Sequence, residues 1–193
     1  MAGRRTVVLA TLAMVLALPA TAKPLQDAPV PYSADVTITL GDSEPTRGRI
    51  ESAPGMQRLE QRLPGGARRV MITRFDRHLA YLLEPATETY RELHLNLNVP
   101  TGWDDALLTL RPEGVDTVGG IPATRYAVAG EPRPGAHVEG RLWRTDDGIM
   151  VKADATTSGS GGKALRSLFE LSNLQRGPQD PSLFEPPEGY TKQ

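Results

Sequence analysis

The chain has 193 residues, 39% hydrophobic and 23% charged, with a formal net charge of −1 and no cysteine. Near-neutral charge argues against a nucleic-acid binder, and the lack of cysteine excludes a disulfide scaffold, thiolate catalysis, a cysteine zinc site and a lipid-acylated cysteine anchor. With 19 glycines and 17 prolines the chain stays below the ~25–30% Gly-plus-Pro content of a disordered segment, and its lean core and many turn residues favour one sheet-rich domain.

The chain begins with the pattern of an export leader. Arg4 and Arg5 form a basic start, Thr6–Leu18 is apolar apart from Thr6 and Thr11, and Pro19 breaks the run before the small-x-small pattern Ala20-Thr21-Ala22. The stretch is shorter than the ~20 apolar residues needed to span a bilayer. Residues 1–22 therefore read as a secretory signal peptide cut after Ala22, with an uncleaved N-terminal anchor as the alternative. The expected location is the periplasm or beyond, with no lipid anchor. Arg4-Arg5 lacks the flanking pattern of a twin-arginine signal. Residues 23–31, with three prolines, read as a flexible lead-in, and residues 32–193 as a single domain.

From Ser33 the pattern takes a period of two. Val36, Ile38 and Leu40 alternate with Asp35, Thr37 and Thr39, a half-buried strand. After the turn cluster Gly41–Pro45, Thr46–Ser52 is a more polar strand, Ala53–Gly55 a turn, and Met56–Leu63 a weaker strand ended by Pro64-Gly65-Gly66. Arg68–Phe75 and His78–Leu83 predict a hairpin about the two-residue turn Asp76-Arg77. Both of its faces carry apolar residues, with Val70 and Ile72 opposed to Met71 and Phe75, so the hairpin should be covered on both sides.

Thr87–Val99 fits a helix or a strand. Trp103–Leu110 predicts a short helix with Asp104 and Asp105 in its first turn, stopped by Pro112-Glu113-Gly114. The last third is clearer. Val115–Val118 and Ile121–Val128 flank the turn Gly119-Gly120, and Ala136–Thr145 and Ile149–Ala155 flank the hairpin turn Asp146-Asp147-Gly148. A Gly/Ser loop covers 157–162. Leu165–Leu174 alternates as a strand, with a helix possible, and Pro181–Phe184 predicts one helical turn that plugs two apolar side chains into the core.

Polar chemistry is sparse. His78, His94 and His137 lie in separate segments without ligand spacing, so they read as exposed strand histidines and no metal is expected. No serine has the strand–elbow–helix setting of a hydrolase. Gly162-Lys163 fails as a phosphate loop, because Ala164 stands where Ser or Thr would hold magnesium. Asp146-Asp147 and Asp104-Asp105 are explained by turn and helix-start chemistry. Arg58, Arg62, Arg68, Arg69 and Arg74 form a basic cluster, either a solvated edge or a contact for an anionic surface. Trp103 and Trp143 read as core or rim anchors. No enzyme activity and no cofactor are expected. An antiparallel sheet with two apolar faces can instead curl into an open barrel around an apolar pocket for a lipid-like ligand.

Four stretches support that expectation: Tyr32–Ile38, Gly119–Tyr126, Val138–Ile149 and Arg176–Tyr190. They resemble exported bacterial proteins of unknown function grouped with the lipoprotein carrier (LolA/LolB-like) superfamily. The resemblance implies a mainly β fold of the α+β type, with a strongly curved antiparallel sheet forming a half-open barrel and short helices in its concavity. It implies a carrier-like binding protein for lipid or acyl chains, or an envelope protein-interaction or stress-sensing module on the same scaffold. Candidate ligand-binding residues are Val36, Ile38, Met71, Tyr81, Leu83, Leu142 and Val151. The expected partners are a hydrophobic ligand and an envelope protein, with the chain itself a monomer.

Overall fold

The computed structural model describes residues 27–95, 108–133, 135–159 and 164–193. The strands are β1 Tyr32–Leu40, β2 Thr46–Ala53, β3 Met56–Arg62, β4 Arg68–Arg74, β5 Leu79–Glu84, β6 Thr89–His94, β7 Leu108–Val118, β8 Ile121–Arg133, β9 Ala136–Arg144, β10 Met150–Ser158, β11 Ala164–Arg176 and β12 Thr191–Lys192. They form one sheet in the order β12-β6-β5-β4-β3-β2-β1-β11-β10-β9-β8-β7. Two up-and-down meanders, β1–β6 and β7–β11, are joined where β1 pairs with β11. Only β12 is parallel to its neighbour, β6. β7 and β12 are left as edges, so the sheet is curved but unclosed.

Bulges help to bend it, because an extra residue on one strand increases local twist. They interrupt the register at Ser33/Asp35, Met150/Lys152, Pro112/Gly114 and Gly130/Arg133. At the second of these, the successive residues Met150 and Val151 are both buried.

The described residues contain no α-helix, and the expected helices in the concavity are not seen among them. Residues 103–107 of the expected helix lie outside the described residues, and its last three, Leu108–Leu110, begin β7. The stop expected at Pro112–Gly114 is a bulge within that strand. An edge strand tolerates a proline whose missing N–H has no ladder partner, and pairing with β8 from Leu108↔Gly130 to Val118↔Ile121 overrides local helix preference. The ambiguous 87–99 segment supplies β6, and its end from Asn96 lies outside the described residues.

The β4–β5 connection is longer than a two-residue turn. Phe75–Arg77 forms a 3-10 turn, and His78 closes it at φ 56°. Asp76 stabilises this shape by receiving Arg74 Nε and Nη2 at 2.8 and 2.7 Å, while its own N–H donates to the Gly55 carbonyl at 3.2 Å.

Residues 27–31 do not behave as a flexible lead-in. Ala28 is buried, Asp27 accepts the Gly55 N–H at 2.7 Å, and the Pro31 carbonyl accepts the Gly177 N–H at 3.1 Å. The prolines here limit chain entropy in a segment that the core then captures.

The tail after β11 runs back across the sheet. Asp180 caps a second 3-10 turn, Pro181–Phe184, by accepting the Ser182 N–H, with Pro181 in the first turn. Phe184 is fully buried among Val70, Ile72, Tyr81 and Leu83, with Leu183 and Tyr190 packed alongside.

Candidate ligand cavity

Alternation divides the sheet into two chemically different faces. Directly opposed residues form rows across neighbouring strands. One row is Tyr32–Ser52–Gln57–Thr73–Ala80, and the next is Ala34–Ile50–Leu59–Met71–Leu82. On the other side of β1 the same face continues through Ile38–Phe169–Ala153–Leu142. This inner face encloses a cavity of ≈390 Å³ whose lining includes Ile38, Ile50, Leu59, Met71, Thr73 and Phe169. Among the described residues no Asp, Glu, Lys, Arg or His lines it. At its rim Leu40 is 50% and Met71 38% exposed, an apolar opening next to an apolar interior.

The outer face carries charge ladders. Arg49 reaches Asp35 at 3.2 Å, Arg68 reaches Glu60 at 2.7 Å, Lys152 reaches Glu170 at 2.7 Å and Arg166 reaches Asp154 at 2.7 Å. Trp143 lies on this face, where its Nε1–H donates to Asp116 at 3.0 Å and Lys152 sits 5.4 Å above its ring. Trp103 lies outside the described residues, as do Asp104-Asp105.

The expected ligand residues separate into three groups. Ile38 and Met71 line the cavity. Val36, Leu142 and Val151 are fully buried in packed clusters and are not among the described lining residues. Tyr81 and Leu83 point to the opposite face, since they pair with Ile72 and Val70 rather than with Met71, and Phe184 covers them. Their placement is a correction. Both faces of this hairpin are apolar, so the pattern carried no sign of which one turns inward. Sequence reasoning missed Tyr32, Gln57, Leu59, Thr73 and Phe169. Their strands were visible, but only the cross-strand register aligns them.

The three histidines lie in separate elements. His78 ends a turn, His94 closes β6 and His137 lies in β9. No three metal-ligating side chains gather among the described residues. Asp147, expected as a turn residue, also pairs with Arg176 and accepts the Thr145 hydroxyl, and the guanidinium holds its carboxyl down at about 2. The basic cluster is dispersed. Arg74 is buried with Asp76 and Glu185, and Arg58 donates to the Leu183 carbonyl at 3.4 Å and pairs with Glu60. Arg69 shares the inner face's parity. Arg62, however, stands opposite both Arg47 and Arg68. Tyr32 is buried beside Ser52, and burial pushes its hydroxyl well above the usual tyrosine range.

Among the described residues no helix is long and apolar enough to cross a membrane. No family model matches the sequence, and no curated protein matches it. Solved structures do match. The chain superposes on MucB with a TM-score of 0.51 at 17% identity, covering 86% of this chain and 60% of MucB. In the Pseudomonas aeruginosa MucA/MucB complex the TM-score is 0.50 at 18% identity, covering 82% of this chain and 56% of the other. The LolA superfamily protein NE2245 from Nitrosomonas europaea matches at a TM-score of 0.44 and 8% identity, over 83% of this chain and 90% of that one. The chain thus shares the fold of MucB and spans about 60% of MucB's length. The likeness extends to the fold alone.

Proposed function

We propose that this chain is a periplasmic binding protein, exported through residues 1–22, that holds the apolar part of a lipid-like ligand and catalyses no reaction. The observation that carries this reading is the ≈390 Å³ cavity, lined by no charged residue among those described and edged by exposed Leu40 and Met71. Apolar side chains left open at a rim lose stabilisation unless something covers them, and a concave apolar site is the usual form of a small-molecule pocket. Ile38, Leu59, Met71 and Phe169 are the wall residues assigned to the ligand. The test is organic extraction of protein purified from the periplasm, followed by lipid mass spectrometry. A stoichiometric lipid that is lost in Leu59→Arg supports the reading. Protein that arrives empty and takes up no lipid-like probe refutes it.

A second reading, an envelope interaction scaffold, draws on Arg47 and Arg62, which stand directly opposite one another on β2 and β3 of the outer face. Like charges placed directly opposite repel, and an acidic protein segment would relieve that repulsion. MucB, which shares the fold, has been solved with MucA. Reversing Arg47 and Arg62 to Glu should abolish binding of a Glu-rich peptide, and the wild-type affinity should fall with salt. Reversals that leave binding unchanged would remove this reading.

A further inference from the structure

Two cations stand on the inner face beside the cavity. Arg69 precedes Met71 by two positions on β4, and Arg91 on β6 is directly opposite Leu82, which is itself opposite Met71. Alternation puts all four on one face. Both arginines are exposed, and neither is engaged by another described residue. Each adjoins an exposed apolar side chain of the same face: Met71, 38% exposed, two positions from Arg69, and Leu93, 49% exposed, two positions from Arg91. Glu84 follows Leu82 by two positions on β5 and shares this face, but one carboxylate can neutralise only one of the two guanidiniums. Asp42 and Glu44 belong to the β1–β2 turn, which β3 separates from β4. Met71 also lines the cavity, so the surplus positive charge sits where an occupant would emerge.

Resting on the binding-protein reading, we infer that the occupant is an acyl chain with an anionic head, a carboxylate or a phosphate. The chain lies along Leu59 and Met71, and the head stays outside the cavity between Arg69 and Arg91. Two strands and two residues separate these arginines, about 12 Å between Cα atoms at ordinary sheet spacing, so their long side chains can close on one head from either side. A guanidinium suits both heads, because its planar fork pairs with two oxygens at once. At exposed arginines the head keeps water on its open side and avoids the cost of a buried charge, while the chain covers Met71. A neutral head forfeits the charge attraction, and a cationic head is repelled.

The experiment is isothermal titration of delipidated protein at about pH 8, where both acids are ionised. The probes are decyl phosphate, decanoate, monodecanoylglycerol and decyltrimethylammonium, each below its micelle concentration, and inorganic phosphate as a head without a chain. The two chain-bearing anions are expected to bind roughly three- to tenfold more tightly than the glycerol ester, the gain of two exposed charge contacts. The cation should bind more weakly than the ester, and inorganic phosphate far more weakly than decyl phosphate. Raising salt from about 20 mM to about 500 mM should remove the anions' advantage and spare the ester. The double variant Arg69→Gln, Arg91→Gln should bring the anions down to the affinity of the ester and leave the ester unchanged, with the thermal midpoint checking the fold. Anions no tighter than the ester, an anion advantage that survives in the folded double variant, or inorganic phosphate as tight as decyl phosphate overturns the head assignment and leaves the binding reading standing. No binding of any chain-bearing probe overturns both.

Discussion

Arg74 of the β4–β5 hairpin holds Glu185 of the C-terminal tail, 111 residues away in sequence, through a charge-assisted hydrogen bond. The same guanidinium forks onto Asp76 and donates to the Phe184 carbonyl at 3.4 Å, with the Arg74 side chain only 6% exposed. One cation therefore fixes the hairpin turn and fastens the tail across it. Arg74→Met should destabilise the fold by ~1–3 kcal/mol, the penalty of stranding its acceptors. Arg74→Lys should recover little, because an ammonium cannot serve Asp76 bidentately and Glu185 together. Urea unfolding midpoints measure both.

Phe184 is the tail's apolar anchor. It fills the space over Val70, Ile72, Tyr81 and Leu83. Phe184→Ala should cost ~3–5 kcal/mol, the range for a large aromatic lost from a packed site, and should raise binding of a dye that reports exposed apolar surface. A loss below about 1 kcal/mol would mean that the outer hairpin face does not depend on the tail.

Asp147 sets an acid-sensitive contact. Its pairing with Arg176, backed by the Thr145 hydroxyl, lowers its carboxyl to about 2. A folded-state value below the unfolded ~3.9 means the unfolded chain binds the proton first. The contact contributes in full above about pH 4 and is lost as pH falls toward about 2. Asp147→Asn should therefore narrow the difference in urea midpoint between about pH 5 and about pH 2.5, chiefly by lowering the value at the higher pH. Parallel wild-type and variant curves would show that the pair does not set acid stability.

Gly48 is required by a close approach. A Cβ there would lie 1.9 Å from the Glu60 carbonyl oxygen and 3.1 Å from the Gln61 Cα, both backbone atoms of the paired strand. Gly48→Ala must push β2 and β3 apart and should cost at least the ~1–3 kcal/mol of an overpacked site. Thermal unfolding tests this, and amide exchange should show the β2–β3 ladder opening first.

Local patterns placed most strands because a period of two is written in adjacent residues. Val36–Ile38, the Asp146-Asp147-Gly148 turn and the Pro181–Phe184 plug could all be found from neighbours within a few positions. Which face turns inward is not a local property. Val70/Ile72 and Met71/Leu82 are equally apolar, and only the return of Phe184 from the distant tail makes one pair core and leaves the other to the cavity side. β7 likewise depends on β8 for its ladder, which overrides the helix-like start of its own segment. Propensity and alternation by themselves determined a sheet of short antiparallel strands. Register, the bulge at Met150/Lys152 and the tail's long-range contacts decided where that sheet bends and which side chains meet in the cavity, because those free energies arise between residues far apart in the chain.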